Sequence, residues 1–204
     1  MKMKNIKQFW NTCRGNYAHI RDNWKMTPRS KRAKELNKHF FDKYDFSNKT
    51  VIDYGCGGGF VGLYMFQYLK IHRYIGIDIS ERSIRKARKV LYGYYIDFTN
   101  ELQEFGKIDF LISIACIQHF HSKEYLEDFL RKINKSKISV LMLQIRNGDK
   151  YSDIKDEEIT DENMFYCYTN TKFLNSHLNN YKLVYESEVN KKSYGQYLIY
   201  EVKK

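Results

Sequence analysis

Val51-Ile52-Asp53-Tyr54-Gly55-Cys56-Gly57-Gly58-Gly59 carries an apolar strand into a glycine-dense turn, and a helical pattern begins at Phe60. β-Branched residues suit the extended backbone. Glycine, lacking Cβ, admits positive φ and lets a ligand approach the main chain. The helix that follows opens with unpaired N–H groups, which favour negative charge. Asp53 cuts against a phosphate ligand there, because a carboxylate at the strand end repels pyrophosphate. It suits a cationic ligand, such as one carrying an ammonium group.

Working outward, short apolar runs alternate with helical patterns, the signature of a parallel α/β sheet. The pattern predicts strands over 50–54, 73–79, 93–97, 108–114 and 138–145, with helices over 60–70, 81–91 and 123–134. Ser80 is placed to cap the second helix. After Arg146-Asn147-Gly148 a polar, acidic loop runs to about 164, followed by a helix over 170–179. The alternating runs 182–189 and 196–202 have no helix between them and should pair as an antiparallel hairpin at the sheet edge. Upstream, 5–23 and 29–45 read as two amphipathic helical stretches around Pro28.

At 204 residues the chain is of one-domain length, and its 43% hydrophobic content suits a folded core. No run approaches the ~18 consecutive apolar residues of a membrane span. The start, Met1-Lys2-Met3-Lys4-Asn5, is no signal core, and the four cysteines include no C-x-x-C pair. Together these point to a cytoplasmic protein with reduced thiols and no metal site. Net charge is +11, of which residues 1–45 carry +8. Such a segment could face nucleic acid, an anionic membrane or a small anionic substrate. Lysine (25) outnumbers arginine (10), the better planar phosphate reader, which weakens the nucleic-acid reading.

Two further acids follow the glycine turn. Tyr74-Ile75-Gly76-Ile77-Asp78-Ile79-Ser80 places Asp78 at the next strand end, where a carboxylate can accept from both ribose hydroxyls. Asp97 ends the third strand in Tyr95-Ile96-Asp97-Phe98, so three acidic strand ends are expected around one crevice.

These residues resemble the class I S-adenosylmethionine-dependent methyltransferases, whose first motif is an acid followed by G-x-G-x-G, here Asp53-Tyr54-Gly55-Cys56-Gly57-Gly58-Gly59. The resemblance implies a Rossmann-like α/β fold: a seven-stranded, mostly parallel sheet, a C-terminal antiparallel hairpin, and helices on both faces. It implies S-adenosylmethionine as cofactor, held by Asp53, Gly55, Cys56, Gly57 and Gly59. Asp78 would take the ribose, Ile79 the adenine face, and Asp97 with Phe98 the adenine edge. Ser113-Ile114-Ala115-Cys116-Ile117-Gln118-His119-Phe120 is similar to the family's run ending in Glu-His or His-His, which adds Ile114 to the cofactor set; Gln118 departs from the pattern. Phe9-Trp10 with Tyr17 looks like the family's aromatic cap, so Trp10 and Tyr17 join that set. The organisation implied is one methyltransferase domain over 1–204. It comprises a helical cap (1–45), a cofactor-binding core (46–148), a substrate-side loop (149–169), and a C-terminal helix and hairpin (170–204).

A rival dinucleotide reading rests on Gly57-x-Gly59-x-x-Gly62, which satisfies G-x-G-x-x-G. Gly57 lies too far past the strand for that fingerprint, and in the other register Phe60 occupies the small position. His119 follows strand four and is the candidate base or acceptor-positioning residue. Arg146, Gln118, Tyr166 and Tyr168 are the candidate acceptor contacts, with Arg146 able to clamp an anion. Neither a D/N-P-P-Y/F motif nor a Pro-Cys nucleophile is present, which excludes the amino- and cytosine-C5-methylating DNA enzymes. The reading is therefore methylation of a small anionic acceptor, as monomer or homodimer. The acceptor class is a phosphorylated, nucleotide-linked, phosphoramidate or sugar compound of surface-polysaccharide or natural-product biosynthesis, methylated on oxygen. The alternatives are an RNA or protein methyltransferase using residues 1–45, and a non-catalytic cofactor-binding subunit.

Overall fold

In the computed structural model Lys7, Trp10, Asn11 and residues 26–102, 105–148, 167–191 and 195–203 are described. Alternation at period two sends successive strand side chains to opposite faces of one sheet, and each face has its own core. The strands are β1 (Thr50–Tyr54), β2 (Arg73–Ile77), β3 (Ile96–Thr99), β4 (Lys107–Ser113), β5 (Lys137–Asn147), β6 (Tyr168–Thr169), β7 (Tyr181–Glu186) and β8 (Gly195–Val202). Seven run in the order β3-β2-β1-β4-β5-β8-β7, with β6 beside β5 off that path. Pairs among β1 to β5 are parallel, while β8 runs antiparallel to β5 and β7. The chain steps outward from β1 to β3, then returns to β4 on the other side of β1. Such a reversal opens a crevice at the carboxyl ends of the strands.

One face carries Val51, Tyr74, Phe110, Met142 and Ile199. It is covered by α1 (Lys31–His39) through Ala33 and Leu36, and by α2 (Phe60–Tyr64) through Tyr64. The other face carries Ile52, Ile75, Leu111, Leu141 and Leu198. There α4 (Lys123–Lys135) packs Leu126, Phe129, Leu130 and Ile133, and α5 (Thr171–His177) packs Leu174. Between β2 and β3 lies α3 (Glu81–Val90), capped by Ser80, whose Oγ accepts from Ser83 N–H at 3.2 Å. Among the described residues no helix is long and apolar enough to cross a membrane.

The sequence pattern and the structure differ where local geometry overrides periodicity. The third strand begins at Ile96, not at 93, because Gly93 turns at φ +87 beside an exposed Tyr92. β2 stops at Ile77, since Asp78 accepts from Ser80 N–H and folds the chain over. The helix expected over 60–70 is α-helical only to Tyr64 and closes as a π turn over Met65–Leu69. β6 adds a short eighth strand within the stretch read as loop. Most of the expected helix over 5–23 lies outside the described residues.

Candidate active site

The glycine turn fixes the site's floor. Gly55 sits at φ +84, and a Cβ there would come within 2.4 Å of Cys116 Sγ. Both the conformation and the space therefore demand glycine. Gly55 and Cys56 N–H groups donate to the Ile77 carbonyl at 2.7 and 3.0 Å, which ties the turn to the end of β2. Gly57 N–H donates to Asp78 Oδ2 at 2.9 Å and Ser80 N–H to Oδ1 at 2.8 Å. One carboxylate thus locks the turn against the next strand.

Above the turn lies a cavity of about 540 Å³, within the range of small-molecule sites. Its acidic end is made by Asp53 and Asp78. Asp53 is buried and accepts from Tyr74 OH at 2.6 Å. Burial pushes the Asp53 carboxyl up to about 7, against the opposing pull of that hydrogen bond. Burial raises Asp78 to about 6, with the Ser80 and Gly57 N–H groups pulling the other way. Both acids carry uncompensated desolvation that a cationic ligand would relieve. Asn100, on the loop after β3, lines the same end and donates from Nδ2 to the Asp78 carbonyl at 2.9 Å.

The middle of the cavity is walled by the segment after β4. Ala115 adopts φ +54 between Ile114 and Cys116, a strained conformation for a residue with a Cβ. A 3₁₀ turn over Ile117–His119 follows. Gln118 Nε2 and His119 Nε2 lie 3.0 Å apart, a contact the ring accepts when that nitrogen carries no proton. Trp10 meets the His119 ring edge-on with centroids 5.7 Å apart. Tyr54 and Tyr125 also reach the cavity, with their hydroxyls 3.2 Å apart.

The far end is basic. Arg146 and Gln144 lie two residues apart on the half-buried face of β5, and Arg32 reaches down from α1. Arg32 Nη2 donates to Gln144 Oε1 at 2.9 Å, and Gln144 Nε2 donates to Tyr197 OH at 3.2 Å. Gly195 faces Arg146 in the β5–β8 register and leaves space beside it. Three strand spacings separate β2 from β5, or about 14 Å at ~4.8 Å each. The cavity is therefore polarised along its length.

Of the residues singled out from the sequence, Trp10, Asp53, Gly55, Cys56, Gly57, Asp78, Ile79, Ile114, Gln118, His119 and Arg146 line this cavity. Gly59 instead caps α2 at φ +78, tight against Ala87. Asp97 does not end its strand: it pairs with Ile75 inside β3, and its Oδ2 accepts from Arg73 Nε at 2.9 Å. The third acid expected at the crevice is thus engaged elsewhere, and Asn100 stands at that edge. Phe98 packs against Gly76 and Tyr74, beneath Arg88, and away from the cavity. Tyr168 lies against Gly148 in β6 and does not line the cavity. Tyr17 and Tyr166 lie outside the described residues. Arg32, Gln144, Asn100 and Tyr125 were not singled out. Gln144 alone carried a legible signal, since it lies two residues before Arg146 on one strand and so shares its face.

Residues 45–200 match the family described as a methyltransferase domain. Protein 235L of Invertebrate iridescent virus 6 is 32% identical over 108 residues, half of this chain and 40% of that protein. The ribosomal RNA small subunit methyltransferase G of Flavobacterium johnsoniae is 26% identical over 112 residues, 52% of this chain and 54% of that one. The chain thus spans about half the length of the curated relatives it matches. Among solved structures, the magnesium protoporphyrin IX methyltransferase of Synechocystis PCC 6803, with bound S-adenosylmethionine, covers 100% of this chain and 98% of its own at a TM-score of 0.69 and 16% identity. The N-methyltransferase NodS of Bradyrhizobium japonicum WM9, in complex with S-adenosyl-L-homocysteine, covers 98% of this chain and 100% of its own at 0.67 and 10% identity. At such identities these two likenesses speak to the fold.

Proposed function

Because the chain belongs to the methyltransferase-domain family, we propose that it transfers a methyl group from S-adenosylmethionine to a small anionic acceptor. The observation that carries this reading is the polarity of one continuous cavity, with Asp53 and Asp78 at one end and Arg146 at the other. The residues fit the donor. The turn at Gly55 has no room for a Cβ, and the raised carboxyls of Asp53 and Asp78 suit a ligand bearing positive charge. Asp78 would hold the ribose and Asp53 the cationic end, while Ile79 and Asn100 would enclose the base.

When bound, the donor supplies an electrophilic sulfonium methyl, and an acceptor lone pair forms the new bond to carbon as the carbon–sulfur bond breaks. The chain's own part is alignment and exclusion of water. Ile114, Ala115 and Cys116 would wall the reacting zone, and Trp10 would close it. His119 is set between Gln118 Nε2, 3.0 Å from its own Nε2, and the Trp10 ring, and we read its role as positioning. An acceptor that needs no base is one already ionised near neutral pH, so we read the methylated atom as oxygen. A phosphorylated, nucleotide-linked or phosphoramidate compound of polysaccharide or natural-product biosynthesis has that chemistry, whereas a plain sugar hydroxyl would need a base.

The test is a metabolite screen with methyl-labelled donor, run beside Asp78→Ala. Labelled product that forms with the wild-type chain, with donor affinity lost roughly a hundredfold in the variant, supports the reading. Unchanged affinity in Asp78→Ala would refute the assignment of that acid. A second reading, methylation of RNA, is favoured by the +8 carried by residues 1–45 and by the ribosomal RNA methyltransferase among the relatives. It requires salt-sensitive RNA binding and fails if affinity is absent at low salt.

A further inference from the structure

The basic end of the cavity is built from two elements that the sequence keeps far apart. Arg32 lies near the start of α1, 112 residues from its partner Gln144. Its side chain is 24% exposed; Nη2 donates to Gln144 Oε1 at 2.9 Å, Nη1 donates to Tyr197 OH at 3.5 Å, and the Gln144 amide donates to the same hydroxyl. Arg32 Nη1 also lies 3.8 Å from Glu35 Oε2, too long for a tight pair, and Glu35 is the more exposed of the two. Arg146 lines the same cavity from the next inward position of β5, opposite the bare backbone of Gly195.

From this placement we infer that Arg32 and Arg146 form one receptor for a dianionic phosphate-type group on the acceptor, with Gln144 and Tyr197 as positioning residues for Arg32. The inference rests on the methyltransferase reading above and deepens it by naming the group bound. A guanidinium offers a planar fork of N–H donors that meets two oxygens at once. One fork satisfies a carboxylate. Two forks from different elements match a tetrahedral group with three terminal oxygens and two charges. The receptor lies beyond β4 from the glycine turn, so it is distinct from the surfaces assigned to the donor.

The test titrates the full chain, saturated with S-adenosylhomocysteine, with inorganic phosphate and separately with acetate, by calorimetry. Phosphate should bind with its affinity lowered at least tenfold by Arg32→Gln and by Arg146→Gln. Arg32→Lys keeps the charge, loses the fork and should fall between wild type and Arg32→Gln. Affinity for S-adenosylhomocysteine should change less than twofold in every variant, which also reports that each is folded. Acetate binding as tightly as phosphate overturns the dianion assignment. Phosphate affinity unchanged in Arg32→Gln removes Arg32 from the receptor. Loss of S-adenosylhomocysteine affinity in that variant, with its melting temperature kept, assigns Arg32 to the donor's carboxylate and also overturns the inference. Silence towards S-adenosylhomocysteine in the folded wild type refutes the methyltransferase reading itself, whereas silence towards phosphate alone refutes only the receptor.

Discussion

The two ends of the cavity are built by different physics. At the acidic end the backbone does the work: Gly55 and Cys56 bind the Ile77 carbonyl, Gly57 binds Asp78, and all of this lies within residues 53–80. At the basic end side chains do the work, with Arg32, Gln144 and Tyr197 meeting from α1, β5 and β8. A backbone cradle has few conformations available and tolerates little change. A side-chain cluster can be retuned one residue at a time, so the first end suits an invariant ligand and the second a specific one.

The strongest way to break that contrast is Gly55→Ala. Its φ of +84 costs an L-residue about 1–2 kcal/mol, and the 2.4 Å approach to Cys116 adds an overpacking penalty of about 1–3 kcal/mol. A total near 3 kcal/mol should lower the melting temperature by roughly 6–12 °C and remove measurable donor binding. A variant melting within about 2 °C of wild type would mean that the turn yields, and the acidic end would be no stiffer than the basic one.

The same contrast explains what could be read from the sequence. The glycine turn, Asp53 and Asp78 announce themselves because their geometry is local: a strand, a bend needing positive φ, and the next strand end. The parallel sheet followed from the alternation of strands and helices, and its antiparallel edge from the helix-free final hairpin. Asp97 misled because periodicity gives a strand but not its last residue. Gly93 shifts β3 forward, so Asp97 falls inside it against Arg73 and leaves the edge to Asn100. Arg32 was invisible for the opposite reason. It looks like one more surface cation in a basic segment until α1 is laid across β5.

A smaller effect, which sharpens the comparison, is the dependence on pH. Asp53 near 7 and Asp78 near 6 are raised by burial, so the folded apo-protein holds protons that the unfolded chain has released. Stability from these two groups is therefore present at low pH and lost as pH rises towards 7. Donor affinity should run oppositely, rising across pH 5 to 7 as both acids ionise and attract positive charge. His39, held below its ordinary range chiefly by burial, gains the chain stability over the lower part of that window and partly masks the trend. Melting curves of Asp53→Asn subtract it: the wild type should lose stability relative to the variant between pH 5 and 8. Equal slopes for the two proteins would mean that Asp53 is not a buried, raised acid.

The smallest effect concerns the boundary between the two ends. A general base contributes typically 10²- to 10⁴-fold to rate. Gln118 Nε2 lies 3.0 Å from His119 Nε2 and the ring stands edge-on to Trp10; with an acceptor already ionised, the contribution of this fixed ring should be placement. His119→Ala is expected to slow methyl transfer less than tenfold, through KM more than kcat, with donor affinity nearly unchanged. A hundredfold fall in kcat that follows an ionisation near pH 6 to 7 would make the histidine a base, and the acceptor would then be an alcohol or phenol. That outcome would leave the acidic end untouched but would recast the basic end. The arginines would then anchor a charge remote from the reacting atom, and Gln118 would have to give up its contact with His119 Nε2 for that nitrogen to take the proton.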